Sequence, residues 1–139
     1  MHPILMEIVD RCSALKIIEK RNIAETSCGL VFSISDIDEL NKLFEDMFGA
    51  PIKPTGTTPS AQHKLLTKKY GGIRTHQKLF IKWHEDYGIA VIAMFWPWEN
   101  RTYLTVRLGI LSIDEAKDTG GGLFTALTVW IKDLFGGKK

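Results

Sequence analysis

The sequence predicts a single α+β domain over residues 1–139: a mainly antiparallel sheet with a three-strand C-terminal meander, packed by three or four helices. Three observations predict it. Apolar runs at Lys78 to His84, Ile89 to Trp96 and Arg101 to Leu111 are separated only by the turn-like clusters Glu85-Asp86-Tyr87-Gly88 and Pro97-Trp98-Glu99-Asn100. Stripes at helical spacing precede and follow these runs. The chain has 139 residues, 45% hydrophobic and 24% charged, which is the size and balance of one globular domain with a sizeable core. Disordered, collagen-like and low-complexity classes are thereby excluded.

In chain order, Pro3 followed by Ile4, Leu5, Ile8, Val9, Cys12, Leu15 and Ile18 predicts an amphipathic helix to about Arg21, with proline where a first helical turn tolerates it. Thr26 to Ile34 alternates as a strand does, with Cys28, Leu30, Phe32 and Ile34 on one side. Ser35, with Asp38 and Glu39 behind it, marks the start of a second helix whose stripe is Ile37, Leu40, Leu43, Phe44, Met47 and Phe48; Gly49 and Pro51 stop it. Ala50 to Thr58 reads as a loop, and Thr58-Pro59 as the cap of a short helix to Tyr70, ended by Gly71-Gly72. After the meander, Ser112 caps a short turn towards Glu115, and Gly120-Gly121-Gly122 leads into a closing helix from Leu123 to Phe135.

The meander's register follows from its turns. A three-residue loop Asp86-Tyr87-Gly88, with Gly88 left-handed, sets His84 opposite Ala90, and a four-residue loop Pro97 to Asn100 sets Trp96 opposite Arg101. One face then collects Leu79, Ile81, Trp83, Val91, Ala93, Phe95, Leu104, Val106, Leu108 and Ile110, and must be buried. The other collects Lys78, Phe80, Lys82 and His84, then Ala90, Ile92, Met94 and Trp96, then Tyr103, Thr105 and Arg107. It is apolar at its centre and basic at its edges. Burying each large apolar side chain there contributes on the order of 1.5 to 3 kcal/mol, so the face needs a cover: the chain's own helices, a second copy, or a ligand.

The working surface expected from this patterning is Lys78, Phe80, Lys82, Met94, Trp96, Tyr103 and Arg107, and the expected function is that of a small non-enzymatic domain acting through homo-oligomerisation or binding on that face. Trp96-Pro97-Trp98 reads two ways: as a binding anchor at the hairpin tip, or with Trp96 packed against Lys78 on the outer face and Trp98 folded over the end of the core. A second hypothesis starts from charge. Met47 to His84 contains no Asp or Glu but seven cations, Lys53, Lys64, Lys68, Lys69, Arg74, Lys78 and Lys82, which leaves the remainder acidic although the whole chain is at +2. Such a segment, 53–82, attracts an anionic ligand or nucleic acid. The pI near 8.5 is lower than that of a strongly basic nucleic-acid domain.

The third hypothesis rests on Lys117-Asp118-Thr119-Gly120-Gly121-Gly122, preceded by a strand and followed by Leu123 and Leu127. These six residues resemble the pyrophosphate loop of acetyltransferases that use coenzyme A. The resemblance implies an enzyme with a phosphorylated cofactor at Gly120 to Gly122. No other motif names an activity. His2, His63, His76 and His84 have no metal-ligand spacing, so no metal and no cofactor of the chain's own are expected. Cys12 and Cys28 read as reduced, buried thiols. An N-terminus without a basic stretch or a long apolar run predicts neither leader nor membrane span, and hence a cytoplasmic location.

Overall fold

The computed structural model describes residues 1–114 and 121–136. Among these residues four helices, α1 (Pro3–Cys12), α2 (Ile37–Phe48), α3 (Ala61–Thr67) and α4 (Gly121–Gly136), pack on a five-stranded sheet of β1 (Glu19–Arg21), β2 (Ser27–Ser33), β3 (Lys78–His84), β4 (Ile89–Pro97) and β5 (Tyr103–Ser112). The strand order is β1-β2-β5-β4-β3 and every pair is antiparallel. The α+β class and the C-terminal meander are as the sequence predicts. Among the described residues no helix is long and apolar enough to cross a membrane.

The first helix is shorter than its stripe. It begins at Pro3, with His2 Nδ1 accepting the Ile4 N–H (3.0 Å), and ends at Cys12, after which residues 19–21 pair with β2 as an edge strand. Leu15 and Ile18 continue the helical spacing by coincidence; Ile18 is 44% exposed and its N–H bonds the Val31 carbonyl (2.8 Å). Asn22, in the left-handed region at φ 50°, turns the chain back into β2, a conformation asparagine tolerates. The cap of α3 is Ser60 rather than Thr58. Its Oγ accepts the His63 N–H (3.1 Å) while His63 Nδ1 accepts the Ser60 N–H (3.2 Å), a reciprocal box that orients the helix. Ser112 stands at the end of β5; Glu115 and Gly120 lie outside the described residues, and Gly121 and Gly122 already belong to α4.

The sheet is buried from both sides. On the first face α1 and α2 cover Cys28, Leu30, Phe32, Phe80, Val91, Ala93, Phe95, Leu104, Val106, Leu108 and Ile110. Phe44 of α2 sits edge-on to Phe95 (5.1 Å between centroids) and 5.8 Å from Phe80. Cys12 and Cys28 are buried free thiols in this layer, and desolvation raises their pKa values to about 12 and about 11. On the second face α3, α4 and the Tyr70 to Ile73 segment cover Leu79, Ile81, Ala90, Ile92, Met94 and Leu111.

This corrects the expected faces. Gly88 is left-handed as predicted (φ 63°), but His84 pairs with Ile89, one residue from the predicted register, because Glu85–Tyr87 form a 3-10 turn. A slip of one exchanges faces. Lys78, Phe80, Lys82 and His84 therefore share the first face with Val91, Ala93 and Phe95, while Leu79, Ile81 and Trp83 join Ile92 and Met94 on the second. The second hairpin shifts by four, Trp96 pairing with Thr105, so the relative faces of β4 and β5 stand. The lysines tolerate the core-facing side because β3 is an edge strand: Lys78 Nζ donates to Asn41 Oδ1 (2.8 Å) and Lys82 Nζ to the Met47 carbonyl (3.0 Å), at the open flank of α2.

Candidate functional site

The chain's own helices close the centre of the expected working surface. Phe80 and Met94 are 0% exposed, one under α2 and the other under the second helical layer, so neither touches solvent or a partner. Lys78 and Lys82 stand on the first face, away from the rest. What remains together is Trp96, Tyr103 and Arg107, on the second face. Among the described residues that layer covers Leu79, Ile81, Ala90, Ile92, Met94 and Leu111, whereas on the same face Thr105 and Arg107 are half-buried and Glu19 and Arg21 exposed, which leaves the β1 side of the sheet and the first half of β5 partly open.

The pairing register defines this open area. Glu19 pairs with Val31 and Arg21 with Gly29; these pair with Thr105 and Arg107, which pair with Trp96 and Met94. Directly paired residues share a face, so Arg21, Gly29 and Arg107 form one row and Glu19, Val31, Thr105 and Trp96 the next. Tyr70 bounds the area on one side. Its hydroxyl donates to the Ile110 carbonyl (2.6 Å) and accepts the Ile110 N–H (3.1 Å), and its ring lies on Gly109, where a Cβ would come within 2.5 Å of it.

Trp98 lies over the open area and is held from several directions. The hairpin that carries it closes by Trp98 N–H to the Tyr103 carbonyl (3.0 Å) and Arg101 N–H to the Trp98 carbonyl (3.0 Å), with Arg101 left-handed at φ 56°. The indole Nε1 donates to Thr105 Oγ1 (2.8 Å), Tyr103 meets the ring edge-on at 5.1 Å, and the Arg21 guanidinium stands over it, 5.0 Å from the centroid. Glu19 pairs with Arg21. Trp96 is packed against Gly71, whose left-handed conformation (φ 99°) brings the backbone within reach of the ring; its Nε1 is buried with no hydrogen-bond partner among the described residues. The expected packing of Trp96 on Lys78 is overturned, because Lys78 stands on the opposite sheet face; Trp96 packs on Gly71 instead, and both indoles are half-buried.

Trp98 separates two grooves. One of about 680 Å³ runs past Arg74, His76, Trp96 and Asn100; the other, of about 620 Å³, runs past Ile34, Ile37, Thr55 and Arg101. Both share His76, Pro97, Trp98 and Glu99. The 71–77 loop supplies His76 to both grooves and Arg74 and Gln77 to the first, and a buried lysine fixes it. Lys53 is 0% exposed, and its ammonium donates to the carbonyls of Pro54 (3.0 Å), Thr75 (3.0 Å) and Gln77 (2.6 Å), so all three N–H groups are used although burial lowers its pKa. Gln77 Oε1 in turn accepts the Arg74 N–H (2.9 Å). Lys53, counted among the cations of segment 53–82, is therefore a clasp and not a surface charge.

The other cations of that segment are dispersed. Lys64 belongs to α3 and Lys68 and Lys69 to the turn after it, the latter two in a cleft beside Gly122; Lys78 and Lys82 stand on the opposite sheet face, and only Arg74 lines the Trp98 grooves. Three of the chain's five arginines nevertheless meet Trp98: Arg21 stands over its ring, and Arg74 and Arg101 line one groove each, while Arg107 lies on the sheet one row from Thr105, which holds the indole. Among the described residues no lysine lines either groove. The Arg107 guanidinium has no partner among the described residues. Arg21, Arg101 and Trp98 lie outside the expected set of seven; only Trp98 carried a sequence signal, its place beside Pro97 at a hairpin tip.

A second cleft, of 80 Å³, lies between α1, α2 and β3 and is lined by Glu7, Arg11, Lys82 and His84. His84 Nε2 is buried there without a partner among the described residues, and desolvation, then Lys82, lower its pKa, with Glu7 opposing. Among the described residues no three metal-binding side chains come together. No family model, no curated protein and no solved structure matches this chain.

Proposed function

We propose that this domain binds an anionic ligand carrying a flat aromatic group on the open half of its second sheet face, with Trp98 and Tyr103 as the aromatic surface and Arg107, Arg21 and Arg74 as charge donors. The observation that carries the reading is the arrested Trp98: an indole half-exposed to solvent, yet fixed by Thr105, Tyr103 and Arg21. A side chain held in place before a ligand arrives loses little conformational entropy on binding. Arginine supports the same chemistry, because its planar fork pairs with phosphate or carboxylate and also stacks on rings. Loss of the Phe80 and Met94 surface to the core removes the apolar area on which homo-oligomerisation rested, so simple ligand binding takes precedence.

Titration with nucleotides and short oligonucleotides at low ionic strength, followed by tryptophan emission, tests this. Binding that weakens as salt rises and is lost in Trp98→Ala is expected. Absence of binding, with a wild type that is dimeric by light scattering and a Trp98→Ala variant that is monomeric, would overturn it in favour of self-association.

A further inference from the structure

We infer that the ligand is a single-stranded polynucleotide that straddles Trp98 and occupies both grooves, an assignment that rests on the binding reading above and narrows it. The two grooves, of about 680 Å³ and about 620 Å³, adjoin along Trp98 and its neighbours His76, Pro97 and Glu99, and each has lining residues of its own on its side of the indole. One nucleotide has one base and one phosphate and satisfies one side. A strand repeats both groups, so consecutive bases meet Trp98 and Tyr103 while consecutive phosphates reach cations on either side. The cations are placed for that: Arg74 lines one groove, Arg101 the other, Arg21 stands over the ring, and Arg107 follows one row further along the sheet from Thr105, to which the indole is bonded.

Against these four stand two carboxylates, Glu99 in the shared wall and Glu19, which is bound to Arg21. The balance is cationic without the strong excess of a duplex-binding surface. A duplex also hides the base faces that Trp98 and Tyr103 would meet, whereas a single strand exposes them. Base contact here goes through ring faces, so the surface reads the polymer and not its sequence.

The decisive experiment compares length and strandedness. Fluorescence anisotropy is measured with a mononucleotide, single-stranded DNA and RNA of about eight nucleotides, and the same DNA as a duplex. Either single strand should bind on the order of ten-fold or more tightly than the mononucleotide or the duplex. Arg74→Ala and Arg101→Ala, exposed positions in opposite grooves, should each weaken the octamer and each reduce the slope of log affinity against log salt by about 0.7. Trp98→Phe should keep part of the affinity that Trp98→Ala loses, which separates stacking from misfolding. A mononucleotide that binds as tightly as the octamer, or a salt slope changed by only one of the two arginines, would defeat the two-groove assignment and leave the binding reading intact; no binding by any probe would defeat both.

Discussion

Met94 and Arg107 are paired across β4 and β5 on the same sheet face, and they live in different solvents. Met94 is wholly enclosed by helices, whereas Arg107 is half-buried at the rim of a surface those helices do not reach. The face changes character within one residue pair, from core to contact surface. An uninterrupted apolar strand such as β4 does require cover on both sides. Cover over one strand says nothing about the strand beside it, and the open strip runs where Glu19, Arg21, Thr105 and Arg107 replace the aliphatic residues of β3 and β4.

The largest expected effects lie on the closed side of that line. Met94→Ala should lower the unfolding free energy in urea by about 2–5 kcal/mol, the range for truncating a fully buried large side chain, whereas Arg107→Ala should stay within about 0.5 kcal/mol. Equal costs at the two positions would erase the distinction. Next comes the boundary. Gly109→Ala drives a methyl within 2.5 Å of the Tyr70 ring and should cost about 1–3 kcal/mol by overpacking. Tyr70→Phe should cost a similar amount, about 1–3 kcal/mol, by removing the hydroxyl that donates to the buried Ile110 carbonyl, while the Ile110 N–H keeps its bond to the Thr26 carbonyl; the double variant should cost less than the sum because both changes disturb one contact.

Two histidines report on the closed structure through pH. The pKa of His84 lies below its ordinary 6.5 through burial and the neighbouring Lys82, and that of His63 through burial and the nearby Lys53. Between 6.5 and the folded values the unfolded chain binds more protons than the folded one, so stability is complete above about 6.5 and declines as acid carries the pH down through the folded values. Protonation at His63 also removes the acceptor of the Ser60 N–H bond and with it half of the α3 cap. Urea midpoints between pH 7.5 and 5 should therefore fall on acidification, and fall less steeply in His84→Gln. A midpoint that rises towards pH 5 would contradict both assignments.

Much of this architecture is legible in the sequence because the strands of the meander and the stripe of α2 are long and strongly periodic. β1 is not legible: three exposed residues, Glu19-Lys20-Arg21, carry no pattern, and Leu15 and Ile18 imitate a helix across them. The face of β3 turns on whether its loop has three residues or four, and Lys-Leu-Phe-Ile-Lys-Trp-His places apolar residues on both sides, so side-chain polarity does not decide it. The site is less legible still. Its arginines stand at 21, 74, 101 and 107, and only the strand order gathers them, while the run of lysines that dominates the linear charge pattern is spread over several surfaces or, at Lys53, buried.

The smallest effect on stability, and the finest probe of the open half, belongs to Arg21. Its guanidinium is exposed, its partner Glu19 is exposed, and its contact with Trp98 lies at a solvent boundary; exposed ion pairs contribute about 0–1 kcal/mol and exposed cation–π contacts about 0.5–1 kcal/mol. Arg21→Ala should therefore shift the urea midpoint little. It should still alter the tryptophan emission, because it strips a cation from one face of the Trp98 ring. The chain has four tryptophans, so the change must be read as the difference from the same substitution made in Trp98→Phe, where it should vanish. Persistence of the spectral change without Trp98 would place Arg21 elsewhere, and with it would go the idea that this indole is fixed before a ligand arrives; a large loss of stability would show instead that the open half is a second core.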